Sequence, residues 1–358
     1  MKFLNNELFI IAEAGVNHNG DPKKAHELIE YASKAKANAI KFQTFDANKV
    51  CTQNAPKAEY QSSLTKNNTQ VEMLKALELR KNTFKELSKH ANDIGILFMS
   101  TAFDKDSLDF LIDELDMKII KVPSGEIDNY DFLSYIGKKK LPTIISTGAS
   151  TIPEIYAAYN LVTQFYDSLD SEKNFQTLSK KKIIPNKDTA VLHCVSEYPA
   201  PINEANIKCI NTLINHLNCP IGYSDHCMGI AASLSAVGIG ASIIEKHFTL
   251  DRNLPGPDHK ASINCDELKE MISIIRDMEN SFGSSDKNVQ NSEIKNRIII
   301  RRSIVAKENI KKGDLFNYSN ITCKRPADGI EASHFFELIG IRSNRSYNVD
   351  EKIDREIL

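Results

Sequence analysis

Two stretches decide the reading of this chain: Gly222-Tyr223-Ser224-Asp225-His226 and Ile243-Ile244-Glu245-Lys246-His247. Each is a short strand-like run that ends in a histidine. Between them, Met228 to Ala241 is rich in Ala, Gly and Ile and long enough for one crossover helix. Strand, helix and strand make two parallel strands that finish on the same side of their sheet. Imidazoles at equivalent strand ends converge, so His226 and His247 suit a shared divalent metal. The competing reading is two separate buried histidines, each bonded to its own neighbours. Acidic residues beside both rings favour the shared site.

Working outward, the same alternation recurs. Leu8–Glu13 is an apolar run suited to a strand buried on both faces. Asp21 and Pro22 then read as an N-cap and a first-turn proline. Strands are expected at Ala39–Gln43, Ile96–Thr101, Lys118–Val122, Thr143–Thr147 and Ala190–Cys194. Helices are expected at Ala25–Ala37, Thr69–Asp93, Ser107–Leu115, Tyr130–Lys138, Ile152–Tyr166 and Asp266–Phe282. Residues 167–188, rich in Lys, Ser and Asn, read as a solvated excursion or a helix extension. Eight strands with crossovers and no G-x-G-x-x-G turn predict a closed (β/α)8 TIM barrel over residues 1–282. The polar run from Gly283 predicts a linker over 283–299. Residues 300–358 read as a small β-rich domain.

Composition is that of an ordinary globular chain: 26% charged, 41% hydrophobic and a formal net charge of −2. No global field recruits nucleic acid or an anionic membrane, and no apolar run approaches the roughly 18 residues of a membrane span. Seven cysteines without CxxC spacing argue for reduced thiols and a cytoplasmic setting, and against a thiolate zinc site.

In such a barrel the active site lies where the strands end. Those ends carry Glu13, then Lys41 and Gln43, then Ser100 and Thr101, then Lys121, Ser124 and Glu126. Ser146 follows, then His193, Cys194 and Tyr198, then Ser224, Asp225, His226, Glu245, Lys246 and His247. Desolvating so many charges is expensive unless they serve each other or a ligand. Buried lysines with hydroxyls can hold a phosphate, and carboxylates can do acid–base work. Two imidazoles with open positions suit Mn²⁺ or Co²⁺ better than Mg²⁺, and such an ion polarises a carbonyl.

Nine motifs in order resemble the sialic acid synthases: AEAGVNHNG at 12–20, IKFQTF at 40–45, PKAEYQ at 56–61, KVPSGE at 121–126, STG at 146–148, HC…EYPAP at 193–201, GYSDH at 222–226, IEKHFTLD at 244–251 and GPDH at 256–259. Beyond the barrel, KKGD and KRPADGI resemble the antifreeze-like (SAF) domain of that family. The resemblance implies condensation of phosphoenolpyruvate with N-acetylmannosamine, giving N-acetylneuraminate and phosphate with C–O cleavage. The alternative sugar is its 2,4-diacetamido-2,4,6-trideoxy relative, the precursor of legionaminic acid.

By position, the resemblance implies His226 and His247 as ligands of a divalent metal, Mn²⁺ foremost, with Mg²⁺ or Co²⁺ as alternatives. Lys41, Lys121, Ser124, Ser146 and Ser224 would hold phosphoenolpyruvate, with Thr101 beside them. Glu13 and Glu126 would be the catalytic carboxylates. Gln43, Tyr198 and Asp258 would hold the sugar, joined by Arg325 from the partner subunit of a domain-swapped homodimer. The chain departs from the usual pattern at Ala102, Ala149, Val195 and Ser196, which leaves the metal and phosphate groups intact and bears on the sugar-side wall. An octulosonate- or heptulosonate-type synthase would need further cations for a second phosphate. A catalytically inactive carbohydrate- or ice-binding protein is the reading from another class. Residues 301–358 contain a single threonine, Thr322, which does not make an ice-binding face.

Overall fold

The computed structural model describes residues 7–58, 61, 69–165 and 167–357. Glu59 and Tyr60 of the PKAEYQ motif, and Tyr166 at the expected end of a helix, lie outside them. The chain divides into two compact units, 1–282 and 283–358.

In the first unit eight parallel strands follow one another around a closed ring: β1 (Phe9–Gly15), β2 (Ala39–Thr44), β3 (Leu97–Ala102), β4 (Ile120–Val122), β5 (Thr143–Ser146), β6 (Thr189–Cys194), β7 (Ile221–Asp225) and β8 (Ile243–Thr249). β8 pairs back onto β1, with Glu13 opposite His247, and on its other side Glu13 stands opposite Lys41. Closure removes every free edge, as the expected barrel requires. A short β9 (Ile263–Asn264) pairs in parallel with the end of β8.

Helices clothe the ring because each presents an apolar stripe to it. The helix Pro22–Lys34 buries Ala25, Leu28, Ile29 and Ala32, spaced three and four apart. Its N-cap is Asp21, which accepts the Lys23 N–H at 2.9 Å, with Pro22 in the first turn. The single helix expected over Thr69–Asp93 is two, Gln70–Leu77 and Lys81–Asp93. The break falls at Glu78, whose carboxylate reaches out to accept the Ala47 N–H at 2.6 Å. The excursion at 167–188 holds only a 3₁₀ turn and one short helix, Phe175–Leu178, which buries Leu178.

Inside the ring the side chains form layers. The lower one is apolar: Phe9, Ile11, Ala39, Met99, Ile119, Ile144, Leu192 and Ile243 pack together. Gly222 completes it, since a Cβ there would sit 2.4 Å from Ile243 O and 2.6 Å from Leu192 Cδ2. Two residues further along each strand the inward position turns polar. No helix among the described residues is long and apolar enough to cross a membrane.

The second unit has its own core, in which Ile304, Ile310, Phe316, Ile321 and Tyr347 are buried. Two strands, β10 (Ser303–Ala306) and β11 (Ile321–Lys324), pair antiparallel, and isolated bridges such as Ile310–Tyr347 tie other segments of the unit together. Part of the stretch expected as linker is ordered: Ile294–Ile300 forms a helix. A 3₁₀ turn, Asn291–Glu293, leads into it and is capped locally, with Glu293 Oε2 accepting the Gln290 N–H at 2.9 Å.

Candidate active site

The polar layer opens into a cavity of about 260 Å³ at the C-terminal ends of the strands. Its centre is ionic. Lys41 Nζ lies 2.8 Å from Glu13 Oε2 and donates to Thr101 Oγ1 at 2.8 Å. Lys121 Nζ donates to Ser146 Oγ at 2.7 Å. Between the two ammoniums stands Glu245, with Oε1 3.7 Å from Lys41 Nζ and 3.6 Å from Lys121 Nζ. The same oxygen accepts from Ser224 Oγ at 3.1 Å. All of these side chains are buried.

Alternation explains the cluster. Ile11 and Glu13, Ala39 and Lys41, Met99 and Thr101, Ile119 and Lys121, Ile144 and Ser146, and Ile243 and Glu245 are i, i+2 pairs on the inward face of their strands. Gln43 follows Lys41 by the same step and donates to Glu13 Oε1 at 3.2 Å. Ser124 sits just beyond β4, where its Oγ accepts the Gly148 N–H at 2.9 Å. Gly148 lets the Ser196 hydroxyl come close, since a Cβ there would lie 2.1 Å from Ser196 Oγ and would displace it.

Burial sets the protonation states. It raises Glu13 to about 7, against the pull of Lys41 and with reinforcement from Glu245. Burial also opposes the charge of Glu245, yet Lys121, Lys41 and His226 outweigh it and hold that carboxyl below its usual range. Burial lowers Lys121. It opposes the charge of Lys41 too, but Glu13 and Glu245 prevail and raise it. One carboxylate therefore stays charged between two cations while the other can hold or release a proton near neutral pH.

The two imidazoles share the cavity, with ring centroids 5.5 Å apart. His226 Nδ1 lies 2.6 Å from Val195 O, a carbonyl that can only accept, so Nδ1 carries the proton and Nε2 is left as the ligand atom. His247 is held well below the ordinary histidine range, first by burial and then by the cations around it. Its Nδ1 is buried without a hydrogen-bond partner, and Asp258 Oδ2 is 3.9 Å away. Burial raises Asp258 to about 6. The Tyr198 ring stacks on His226 at 4.0 Å and meets His247 edge-on at 5.6 Å. Among the described residues no group of three or more His, Cys, Asp or Glu is arranged to hold a metal. What the geometry fits is an ion held by the two imidazoles with open positions, and the orphaned His247 nitrogen is an atom such an ion would satisfy.

Twelve of the fourteen residues expected at the site line this cavity: Glu13, Lys41, Gln43, Thr101, Lys121, Ser124, Ser146, Tyr198, Ser224, His226, His247 and Asp258. Glu126 is not among them. It stands on the 3₁₀ turn after β4, half-buried, where its Oε2 accepts Asn129 Nδ2 at 2.6 Å. The carboxylates that line the cavity beside the lysines are Glu13 and Glu245, not Glu126. Glu245 stood in the sequence at a strand end without a role; its spacing of two from His247 was the signal that both face inward. Arg325 belongs to the second unit, where its Nε donates to Ile300 O at 2.8 Å. His193 turns outward, its Nε2 2.8 Å from Ala205 O. Cys194 does line the cavity.

A closed parallel barrel with one buried ionic site at its C-terminal mouth defines an α/β-barrel enzyme architecture. The chain belongs to the NeuB family, which it matches over residues 28–287. It is 44% identical to the N,N'-diacetyllegionaminic acid synthase of Campylobacter jejuni, over 96% of this chain and 98% of that one. To the N,N'-diacetyllegionaminic acid synthase of Legionella pneumophila it is 43% identical, over 93% and 90%. Among solved structures, the N-acetylneuraminic acid synthetase of Leptospira borgpetersenii superposes with a TM-score of 0.68 at 34% identity, covering 82% of this chain and 90% of that one.

Proposed function

We propose that this chain condenses phosphoenolpyruvate with 2,4-diacetamido-2,4,6-trideoxymannose to give N,N'-diacetyllegionaminate and phosphate. The observation that carries the reading is the Lys41–Glu245–Lys121 cluster sharing one cavity with two converging imidazoles. The relatives favour the trideoxy sugar over N-acetylmannosamine, since both legionaminic acid synthases are more similar than the sialic acid synthetase. N-acetylneuraminate synthesis becomes the second reading. The cavity wall points the same way: Phe45, Met73, Leu74, Leu77 and Phe103 line it with apolar surface. A methyl group buries well there, whereas a hydroxyl would lose its hydrogen bonds to water.

In this reading Lys41 and Lys121 hold the anionic ends of phosphoenolpyruvate, with Ser124, Ser146 and Ser224 as hydroxyl donors. A divalent ion held by His226 and His247, Mn²⁺ foremost, would polarise the sugar's aldehyde oxygen. Carbon 3 of phosphoenolpyruvate attacks the aldehyde carbon, and positive charge develops at carbon 2. Glu13 and Glu245 stabilise that charge, and Glu13, poised near 7, takes the proton from the water that adds there. The bond from carbon 2 to the phosphate oxygen then breaks, and phosphate leaves against the lysines. Gln43, Tyr198 and Asp258 orient the sugar. The homodimer implied by the resemblance belongs to the same proposal, and sedimentation of the purified chain tests it.

Phosphate release with Mn²⁺ and each sugar, with product masses, tests the chemistry. Release with the trideoxy sugar is expected; none with either sugar would overturn the reading.

A further inference from the structure

The residues that directly precede the two cavity histidines form an ion pair of their own on the outer face of their strands. Asp225 and Lys246 are register partners across β7 and β8, and neither is exposed to solvent. Lys246 Nζ is 3.0 Å from Asp225 Oδ2. Ser224 and Glu245 point into the cavity, so their successors point into the apolar layer under the helices.

The pair reaches further than its own charge. Asp225 Oδ2 also accepts Ser233 Oγ at 2.6 Å, from the helix Ala231–Gly238, and Oδ1 accepts the Cys227 N–H at 2.8 Å. Lys246 Nζ donates to Cys227 O at 2.5 Å. One ammonium thereby ties the residue before His247 to both residues that flank His226. The two rings differ in how they are otherwise held. His226 is anchored at its Nδ1 by Val195 O, and its carbonyl accepts the Ala200 N–H at 3.0 Å. His247 Nδ1 has no hydrogen bond, so that ring lacks the polar anchor that His226 has at its Nδ1 and rests on ring packing and on its backbone.

Stability alone does not account for a charged pair at this depth, because buried ion pairs roughly break even against apolar residues of similar volume. What such a pair can supply instead is a fixed register, since its charges meet in one alignment of the two strands. We propose that Asp225 and Lys246 are positioning residues that set His247 against His226 so that both rings address one ion. This rests on the metal reading given above.

The test is Mn²⁺ titration of the full-length chain, followed by the electron paramagnetic resonance of free Mn²⁺. The double variant Asp225→Leu/Lys246→Met removes the pair without leaving a lone buried charge, and Asp225→Asn removes only the carboxylate charge. Both are expected to weaken Mn²⁺ binding about 10–100-fold, as loss of partners behind metal ligands does, while circular dichroism stays that of the folded wild type. A folded double variant that binds Mn²⁺ as tightly as wild type overturns the role. Should the double variant not fold, Asp225→Asn decides by the same criterion. Wild-type protein that binds no Mn²⁺ would instead remove the metal reading itself, which separates the two failures.

Discussion

The lower and upper layers of the barrel interior lie two residues apart on the same strands and have opposite chemistry. Ile11, Ala39, Met99, Ile119, Ile144 and Ile243 make a dry floor. Glu13, Lys41, Thr101, Lys121, Ser146 and Glu245 stand directly above it as a buried ionic cluster. The floor contributes transfer free energy and lets the ring close around filled space. The upper layer opposes folding wherever its charges are not matched, and it is held together by the geometry the floor imposes. Stability and chemistry are thus divided along each strand rather than among strands.

The sharpest way to break that division is Lys121→Met. It removes one of two cations from the cluster and should lower kcat/KM for phosphate release by about 10²–10³-fold, the usual cost of one charge-stabilising group. The fold should persist, by circular dichroism. The converse is Ile144→Ala in the floor, expected to cost about 2–5 kcal/mol of unfolding free energy in urea with KM little changed. A loss of KM without a loss of stability would show that the layers are not separate.

A third test uses pH. Burial raises Glu13 to about 7 from its ordinary 4.5, so in that window the folded chain keeps a proton that the unfolded chain has released. Stability should therefore fall as pH rises from about 4.5 to about 7, by a few kcal/mol at most. Glu13→Gln should be flatter than wild type over the same window in denaturant melts. The smallest effect belongs to the cavity wall. Leu74→Asn should shift the kcat/KM preference toward N-acetylmannosamine by about tenfold, the scale on which an apolar pocket discriminates. An unchanged ratio would mean that Leu74 does not meet the sugar's deoxy end.

Much of the site was legible because its signal is local. Period-two alternation marks which residues share a face, and the runs ending at Glu13, Thr101, Lys121 and His247 each announce an inward polar position. The helix boundaries were less legible. The break at Glu78 depends on its reach to the Ala47 N–H, a partner 31 residues away, and no periodicity contains that. The ordered helix Ile294–Ile300 was masked by polar neighbours, although the capped turn Asn291–Glu293 that leads into it is a local feature.

The sequence by itself determined the closed parallel barrel, the end at which its site lies and most of the polar residues that line it. Strand period and crossover handedness act over a few residues and leave few topologies open. Only the tertiary structure decided which groups meet. It put Glu245 between Lys41 and Lys121, turned Glu126 to Asn129, and left His247 Nδ1 without a partner beside Asp258. Those outcomes depend on how β8 closes against β1 and on the stagger of the strands. Distances of a few ångströms between residues hundreds of positions apart are set by that closure and by nothing local.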